Sequence, residues 1–137
     1  MVAKKVPFSK AQAEAIAVEY PTPFHIYDEK AMRENARRLK KAFAWNEGFR
    51  NYFAIKSCPN PHVMRILREE GMGIDASSLC ELVLAERVGM RGEEIMFSSN
   101  DTPAEEYCKA AELGALINLD DITHIPCLDE AGGLPEV

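Results

Sequence analysis

Four short apolar runs alternate with longer amphipathic segments along this chain. The runs are YFAIK at 52–56, GIDAS at 73–77, EIMFSSN at 94–100 and ALINLDD at 115–121. Amphipathic segments follow them at 61–70, 79–88, 103–113 and 124–131. Runs that are apolar on both faces are typical of parallel strands covered by helices, so the pattern predicts four βα units joined by right-handed crossovers.

Residues that favour helix ends support these boundaries. A capping side chain precedes three of the predicted helices, and a glycine follows three of them, as expected for helix termini. The capping candidates are Asn60, Thr102 and Asp121, and the glycines are Gly71, Gly89 and Gly114.

A further helix and a strand are predicted ahead of the four units, and a second helix leads into them. Ser9 and Gln12 fit a capping box, which predicts a helix over 10–19. The run FHIYD at 24–28 predicts a short strand. Asp28 then caps the second helix, whose apolar residues recur at helical spacing.

The length limits the architecture that four βα units can build. The chain has 137 residues, whereas a complete (β/α)8 barrel takes ~250. The fold class is therefore α/β, as a small open domain or as the amino-terminal half of a (β/α)8 TIM-type barrel.

Composition and charge exclude several classes of function. Hydrophobic residues make up 47% and charged residues 28%, which is enough apolar material for a core. The net charge of -6 argues against a general nucleic-acid binder, because phosphate binding requires a basic face. No apolar run approaches the ~20 residues of a membrane span, and the first ten residues lack the apolar segment of a signal peptide. The four cysteines form no CxxC pair, so we expect no metal and a cytoplasmic protein with reduced thiols.

Polar side chains end the predicted strands, and parallel sheets gather catalytic groups at these carboxyl ends. Lys56 ends the first run, and Asp75 lies in the second run with Glu81 six residues later. Ser78 and Glu81 fit a capping box, so a structural and a chemical role of Glu81 stay equally open.

Lys56 is the most informative of these residues. A lysine at the rim of a buried strand has its ammonium form disfavoured, and a neutral amine can form a Schiff base with an aldehyde. Asp75, one strand over, could hold the imine or the protonated amine. The competing interpretation is a lysine that buries its stem and keeps its charge in water.

The sequence around these residues resembles the fold-type III, pyridoxal-phosphate-dependent decarboxylases, which share the alanine-racemase-like barrel. YFAIKSCPNP at 52–61 is similar to their lysine strand, and GMGIDASSLCEL at 71–82 to their second motif. The segments at 22–43 and 97–121 resemble the family's amino-terminal segment and its third and fourth units. Racemases of this fold usually follow their lysine with a different loop, so Ser-Cys-Pro-Asn-Pro after Lys56 favours the decarboxylases.

The resemblance implies roles for four residues. Lys56 matches the lysine that forms the imine with the aldehyde of pyridoxal 5'-phosphate, and Asp75 matches the aspartate near that lysine and the ring. Glu81 matches the glutamate that supports the same wall of the site. Ala54 matches the small residue whose strand face lies against the ring.

The resemblance also implies how the chain is organised and what it acts on. Residues 1–28 would be an amino-terminal helix and strand that pack on a β-domain absent from this chain, and residues 29–137 part of the cofactor-binding barrel. The chain would be an amino-terminal fragment, inactive alone, because the family's glycine-rich phosphate loop and other site residues come later. Its free surfaces would pair it as a homodimer or higher assembly.

The resemblance points most closely to the branch that converts meso-diaminopimelate to L-lysine. The arginine, ornithine and carboxynorspermidine decarboxylases are the alternatives within the family. Three further interpretations stay open. One is a non-catalytic protein that binds pyridoxal phosphate, and another is an α/β interaction domain in which Lys56 is merely buried. The last is an aldolase that forms a Schiff base without a cofactor.

Overall fold

The computed structural model describes residues 6–134 and contains six α-helices and four β-strands in that range. The helices are α1 Lys10–Glu19, α2 Glu29–Ala42, α3 Pro61–Glu69, α4 Leu79–Arg87, α5 Ala104–Glu112 and α6 His124–Gly132. The strands are β1 Tyr52–Ala54, β2 Gly73–Ala76, β3 Ile95–Ser99 and β4 Leu116–Leu119. The four predicted βα units are thus confirmed, with boundaries within a few residues of those expected.

The strands form one parallel sheet in the order β1-β2-β3-β4. Sequential strands are therefore neighbours, as they are in a (β/α)8 barrel. The register runs from Ala54 to Asp75, from Asp75 to Met96 and from Met96 to Leu116. Because side chains alternate along a strand, these four residues form one row across the sheet.

One face of the sheet packs under helices and the other is open. Ile74, Ile95 and Phe97 point to the helices and are almost fully buried, in contact with Leu82 of α4 and Tyr107 of α5 in the same cluster. The row that contains Asp75 lies on the opposite face, where Leu116 is 39% exposed. This open face corresponds to the interior of a barrel.

Helix caps account for several boundaries. Ser9 and Gln12 form the predicted capping box of α1, and Asp28 accepts the Ala31 N–H at the start of α2. Asn60 accepts the His62 N–H ahead of α3, as predicted. The predicted glycines take positive φ at the ends of α3, α4 and α5, where other residues would be strained. They are Gly71, Gly89 and Gly114.

The predicted cap at Thr102 is wrong. Pro103 is the residue before α5, and its side chain has no hydrogen-bonding group. The Thr102 hydroxyl is instead buried with no partner among the described residues. At α6 the prediction is closer, because Asp121 accepts from the N–H and the hydroxyl of Thr123 just before the first turn.

The predicted strand at 24–28 is also wrong, since these residues belong to no sheet. A strand needs a hydrogen-bonded neighbour, and within residues 6–134 none lies beside this segment. Tyr27 instead accepts a hydrogen bond from the Cys58 thiol at 3.5 Å, so the segment lies near the residues that follow β1.

An ion-pair cluster fastens α2 to the end of α3. Arg37 donates two hydrogen bonds to the Glu70 carboxylate, both at 2.7 Å, and Arg33 donates a third at 3.1 Å. The Lys40 ammonium adds a bond to the Glu70 carbonyl at 3.0 Å. This cluster holds α2 across the outer side of the first βα unit.

Within the part of the chain that the structure describes, no helix is both long and apolar enough to span a membrane.

Candidate active site

Lys56 lies just beyond the carboxyl end of β1. The strand ends at Ala54, two residues earlier than predicted, and Ile55–Ser57 form a single turn of 3-10 helix. Ser57 closes this turn by donating its hydroxyl hydrogen to the Ala54 carbonyl at 2.7 Å. Ile55 is fully buried, whereas Lys56 is exposed. The expected burial of Lys56 at the strand rim is therefore wrong, because the turn directs its side chain away from the core.

Asp75 is the carboxylate nearest to this turn in the sheet. Its partner across the ladder is Ala54, two residues before Lys56. Burial raises the pKa of the Asp75 carboxyl above its ordinary value, and the positive charge of Lys56 acts in the opposite direction. The charge of Lys56 thus acts on Asp75 through space, and no direct hydrogen bond joins the two among residues 6–134.

One oxygen of Asp75 has no hydrogen-bond partner. Oδ1 is buried and unpaired in the described part of the chain. Leaving a buried acceptor unpaired costs about 1–3 kcal/mol, and in native proteins such an atom calls for an explanation. A ligand that donates a hydrogen bond or carries positive charge would satisfy it.

Glu81 is already engaged with the backbone. Its Oε2 accepts the Ser77 N–H at 2.6 Å, and its own N–H is donated to the Ser78 hydroxyl. These bonds close the connection between β2 and α4 in a variant of the predicted capping box. The structure therefore favours the capping interpretation of Glu81, which supports the wall after Asp75 through the chain rather than by direct contact.

Glu106 lies beside the turn that follows Asp75, and it was not predicted from the sequence. It lies on α5, and its Oε1 accepts the Leu79 N–H of α4 at 2.8 Å. Neighbouring sequence offered no signal for this bond, because its two partners are 27 positions apart. By itself, an acidic residue in the first turn of α5 is accounted for by a favourable interaction with its own helix dipole.

The helix amino termini at this edge are poorly suited to a phosphate group. Carboxylates of Glu81 and Glu106 occupy the start of α4, and Asn60 with Pro61 occupies the start of α3. The glycine-rich sequence AGG at 131–133 falls at the carboxyl end of α6, where exposed carbonyls repel anions, so it does not offer a phosphate loop.

The residues present do fit the aldehyde end and the ring of pyridoxal phosphate. Lys56 offers an exposed amine, and Asp75 offers an unpaired carboxylate oxygen. Ala54 lies between them on the open face, where its methyl group leaves space for a flat ring. The four cysteines are free, and no group of acidic, histidine or cysteine side chains within residues 6–134 is arranged to hold a metal ion.

A family model matches most of this chain. The model described as pyridoxal-dependent decarboxylase, pyridoxal binding domain, matches residues 29–132. This range covers all four βα units and all four candidate site residues.

Individual relatives point the same way. Protein TabA of Pseudomonas amygdali pv. tabaci is 47% identical over 118 residues, which are 86% of this chain and 27% of that protein. A diaminopimelate decarboxylase of Methanothermobacter thermautotrophicus is 39% identical over 88% of this chain and 28% of its own length. The chain thus spans little more than a quarter of these curated relatives.

A solved structure shares the fold. The diaminopimelate decarboxylase of M. jannaschii in co-complex with L-lysine matches with a TM-score of 0.81 and 27% identity. The match covers 87% of this chain and 29% of that one. The four parallel units therefore correspond to part of a larger α/β barrel enzyme.

Proposed function

This chain belongs to the family of pyridoxal-dependent decarboxylases, and we propose that it forms the lysine-bearing part of an enzyme that removes the α-carboxylate of an amino acid. The substrate we propose is meso-diaminopimelate, which would give L-lysine. The diaminopimelate decarboxylases among its relatives support this choice. The observation that carries the proposal is the grouping of Lys56, Ala54 and Asp75 at one edge of the sheet.

Lys56 would hold the cofactor through its amine, Ala54 would lie against its ring, and Asp75 would contact the group from the neighbouring strand. When bound, pyridoxal phosphate supplies an electron-withdrawing ring that accepts the electron pair left by the departing carboxylate. Lys56 Nζ is exposed and can carry a proton to or from the reacting centre. Burial raises the pKa of the Asp75 carboxyl, and the positive charge of Lys56 opposes that rise.

The organisation we propose is supported by the small share of each relative that the chain covers. Residues 29–137 would be the amino-terminal part of the cofactor-binding barrel, and residues 1–28 a leading segment outside it. The chain by itself would be inactive, because groups that hold the phosphate are not provided by the helix termini described above. The cytoplasmic setting stays a prediction based on the free cysteines.

A second copy of the chain is the partner we propose. Within the described residues, β1 and β4 are the edge strands, and each has a neighbouring strand on one side only. On the open face, Leu116 is 39% exposed. Unpaired strand edges and exposed apolar faces favour association. Light scattering should give the mass of a dimer or larger assembly, and a monodisperse monomer would contradict this part of the proposal.

The decisive experiment traps the cofactor on its lysine. The chain is incubated with pyridoxal phosphate, reduced with borohydride, and digested for mass spectrometry. Modification concentrated at Lys56 supports the proposal, and its loss in Lys56→Arg but not in Lys30→Arg makes the assignment specific. Modification spread over many exposed lysines favours an α/β interaction domain instead.

A second measurement separates the enzyme from a non-catalytic cofactor-binding protein. Release of CO2 from meso-diaminopimelate is measured with a longer chain that includes the remaining part of the barrel. Lys56 labelling without CO2 release would favour cofactor binding without decarboxylation. Release from another amino acid would keep the reaction and replace the substrate.

A further inference from the structure

The turn that follows Asp75 is held by carboxylates from two different helices. Glu81 of α4 accepts the Ser77 N–H at 2.6 Å, within its own βα unit. Glu106 of α5 accepts the Leu79 N–H at 2.8 Å and comes from the next unit along the chain. The β2–α4 turn is therefore fixed partly by a residue that belongs to neither β2 nor α4.

We infer that Glu106 is a positioning residue of the candidate active site, which holds the β2–α4 turn and thereby sets the place of the Asp75 carboxylate. The inference rests on the proposed function only in assigning Asp75 to a cofactor site.

The bond has the chemistry of a strong and specific contact. Leu79 is the first residue of α4, so its N–H is one of the donors that have no partner inside the helix. A carboxylate makes a shorter and stronger bond to such a donor than a neutral acceptor does, and the positive end of the helix dipole adds to the attraction. Both Leu79 and Glu106 are half-buried, which limits competition from water.

The position of Asp75 is sensitive to this turn. Only Ala76 separates Asp75 from the turn, and Ala76 is fully buried under the helices. Asp75 Oδ1 is itself buried without a partner in the described residues, so a small movement would change its contact with water. A bond that fixes Leu79 thus limits the positions open to the carboxylate four residues earlier.

Variants of two neighbouring residues separate positioning from simple helix capping. Glu106→Ala removes the acceptor, whereas Glu106→Gln keeps an oxygen that can accept the same bond. Glu105→Ala is the matched control, because Glu105 is exposed on the same first turn of α5. Lys109→Ala is a second control that weakens α5 by removing ion pairs to α4 and within α5.

Three quantities are measured on the full chain: the melting temperature, the pyridoxal phosphate concentration that gives half-maximal borohydride-trapped labelling of Lys56, and the Asp75 carboxyl titration by NMR. We expect Glu106→Ala to raise the half-maximal concentration about tenfold, because the Asp75 carboxylate would no longer be held in place for the cofactor. Glu106→Gln should recover most of this loss. The Glu105 and Lys109 variants should label like the unmodified chain.

Each outcome bears on the inference. If Glu106→Ala lowers the melting temperature as Lys109→Ala does but leaves labelling unchanged, Glu106 is a structural cap and the inference is overturned. If the unmodified chain is not labelled at Lys56, the proposed function fails, and the Asp75 titration then tests the inference about Glu106 by itself. Burial and the charge of Lys56 set the pKa of Asp75, so this pKa changes when the carboxylate moves. A pKa of Asp75 that is closer to its ordinary value in Glu106→Ala supports positioning, and an unchanged pKa of Asp75 overturns it.

Discussion

Ala54 of β1 lies directly opposite Asp75 of β2 in the parallel register. Both face away from the covering helices, because Ile74 and Ala76 on either side of Asp75 are buried on the helix side. A methyl group thus stands beside a partly desolvated carboxylate, two residues before the exposed Lys56. This pair gives the open face a place where a flat ring can approach both the lysine and the acid.

Ala54→Leu should block that place without unfolding the chain. The larger side chain would enter the space on the open face, where no helix packs against it. We expect borohydride-trapped labelling at Lys56 to fall by about tenfold or more, because the leucine side chain would occupy the space of the ring and weaken cofactor binding. The melting temperature should change by no more than about 2 °C. Ala104→Leu, at an exposed position of α5, is the control. Equal labelling in both variants would remove Ala54 from the cofactor site.

Asp75→Asn should stabilise the fold at neutral pH while weakening the site. Burial raises the folded-state pKa of Asp75, with Lys56 opposing it, so the folded state holds the proton to higher pH than the unfolded state does. Ionisation then costs stability, and wild type becomes less stable as pH rises from the unfolded pKa through the folded one. The gain in the variant should stay below about 1 kcal/mol, because solvent screens a half-exposed group.

Urea denaturation at two pH values tests this sign. The difference between Asp75→Asn and the unmodified chain should appear near pH 7 and shrink near pH 3, where both side chains are neutral. A variant that is less stable at both pH values would contradict the expected cost of ionisation. Labelling at Lys56 should fall in the same variant at neutral pH.

Glu70→Gln should destabilise the chain at neutral pH and much less in acid. The hydrogen bonds from Arg37, and then from Arg33, hold the pKa of Glu70 below its ordinary value. Its contribution is therefore present above the unfolded pKa and is lost as pH falls through the lowered folded pKa. Glu69→Gln is the matched control, since Glu69 is 61% exposed whereas Glu70 is 9% exposed.

The measurement for Glu70 is urea denaturation of both variants near pH 7 and near pH 3. The loss in Glu70→Gln should exceed that in Glu69→Gln at neutral pH and should shrink as the pH falls toward 3. Equal losses in the two variants would mean that the cluster acts as an ordinary exposed ion pair.

Tyr107→Phe should be neutral or slightly stabilising. Tyr107 is 2% exposed and its ring packs edge-on against Phe97 at 6.3 Å, yet its hydroxyl has no partner among residues 6–134. Removing an unpaired buried hydroxyl while keeping the ring should change the free energy of unfolding by about 0 to 1 kcal/mol in favour of folding. Tyr107→Ala should cost about 3–5 kcal/mol, because it also removes the ring. A clear loss in Tyr107→Phe, measured by thermal unfolding, would indicate that a partner for the hydroxyl exists.

Local signals in the sequence predicted the succession of elements well. The boundaries of α1 and the caps by Ser9, Asp28 and Asn60 follow from bonds between residues two to three positions apart. The failures have equally physical reasons. Residues 24–28 have strand-forming side chains but no neighbour to pair with, and the cap expected from Thr102 is missing because the helix begins after Pro103.

The sequence predicted the positions of Lys56 and Asp75 along the strands, but it did not predict that Lys56 is exposed. Lys56 and Asp75 do stand at the carboxyl edge of neighbouring strands. The strand, however, stops at Ala54 and turns into a 3-10 helix, so Lys56 is exposed rather than buried at the rim. Burial depends on which parts of the chain pack over a residue, and the pattern around Lys56 carries no such information.

By itself the sequence determined the number, order and type of the βα units, because apolar periodicity and helix caps act over a few residues. It also marked Lys56, Asp75 and Ala54 as candidates through their resemblance to a known motif. The tertiary structure alone decided that Ala54 faces Asp75, that Asp75 Oδ1 is buried without a partner in the described residues, and that Glu106 reaches Leu79. These features join residues distant along the chain, and only packing of one unit against the next brings them within hydrogen-bonding or van der Waals distance.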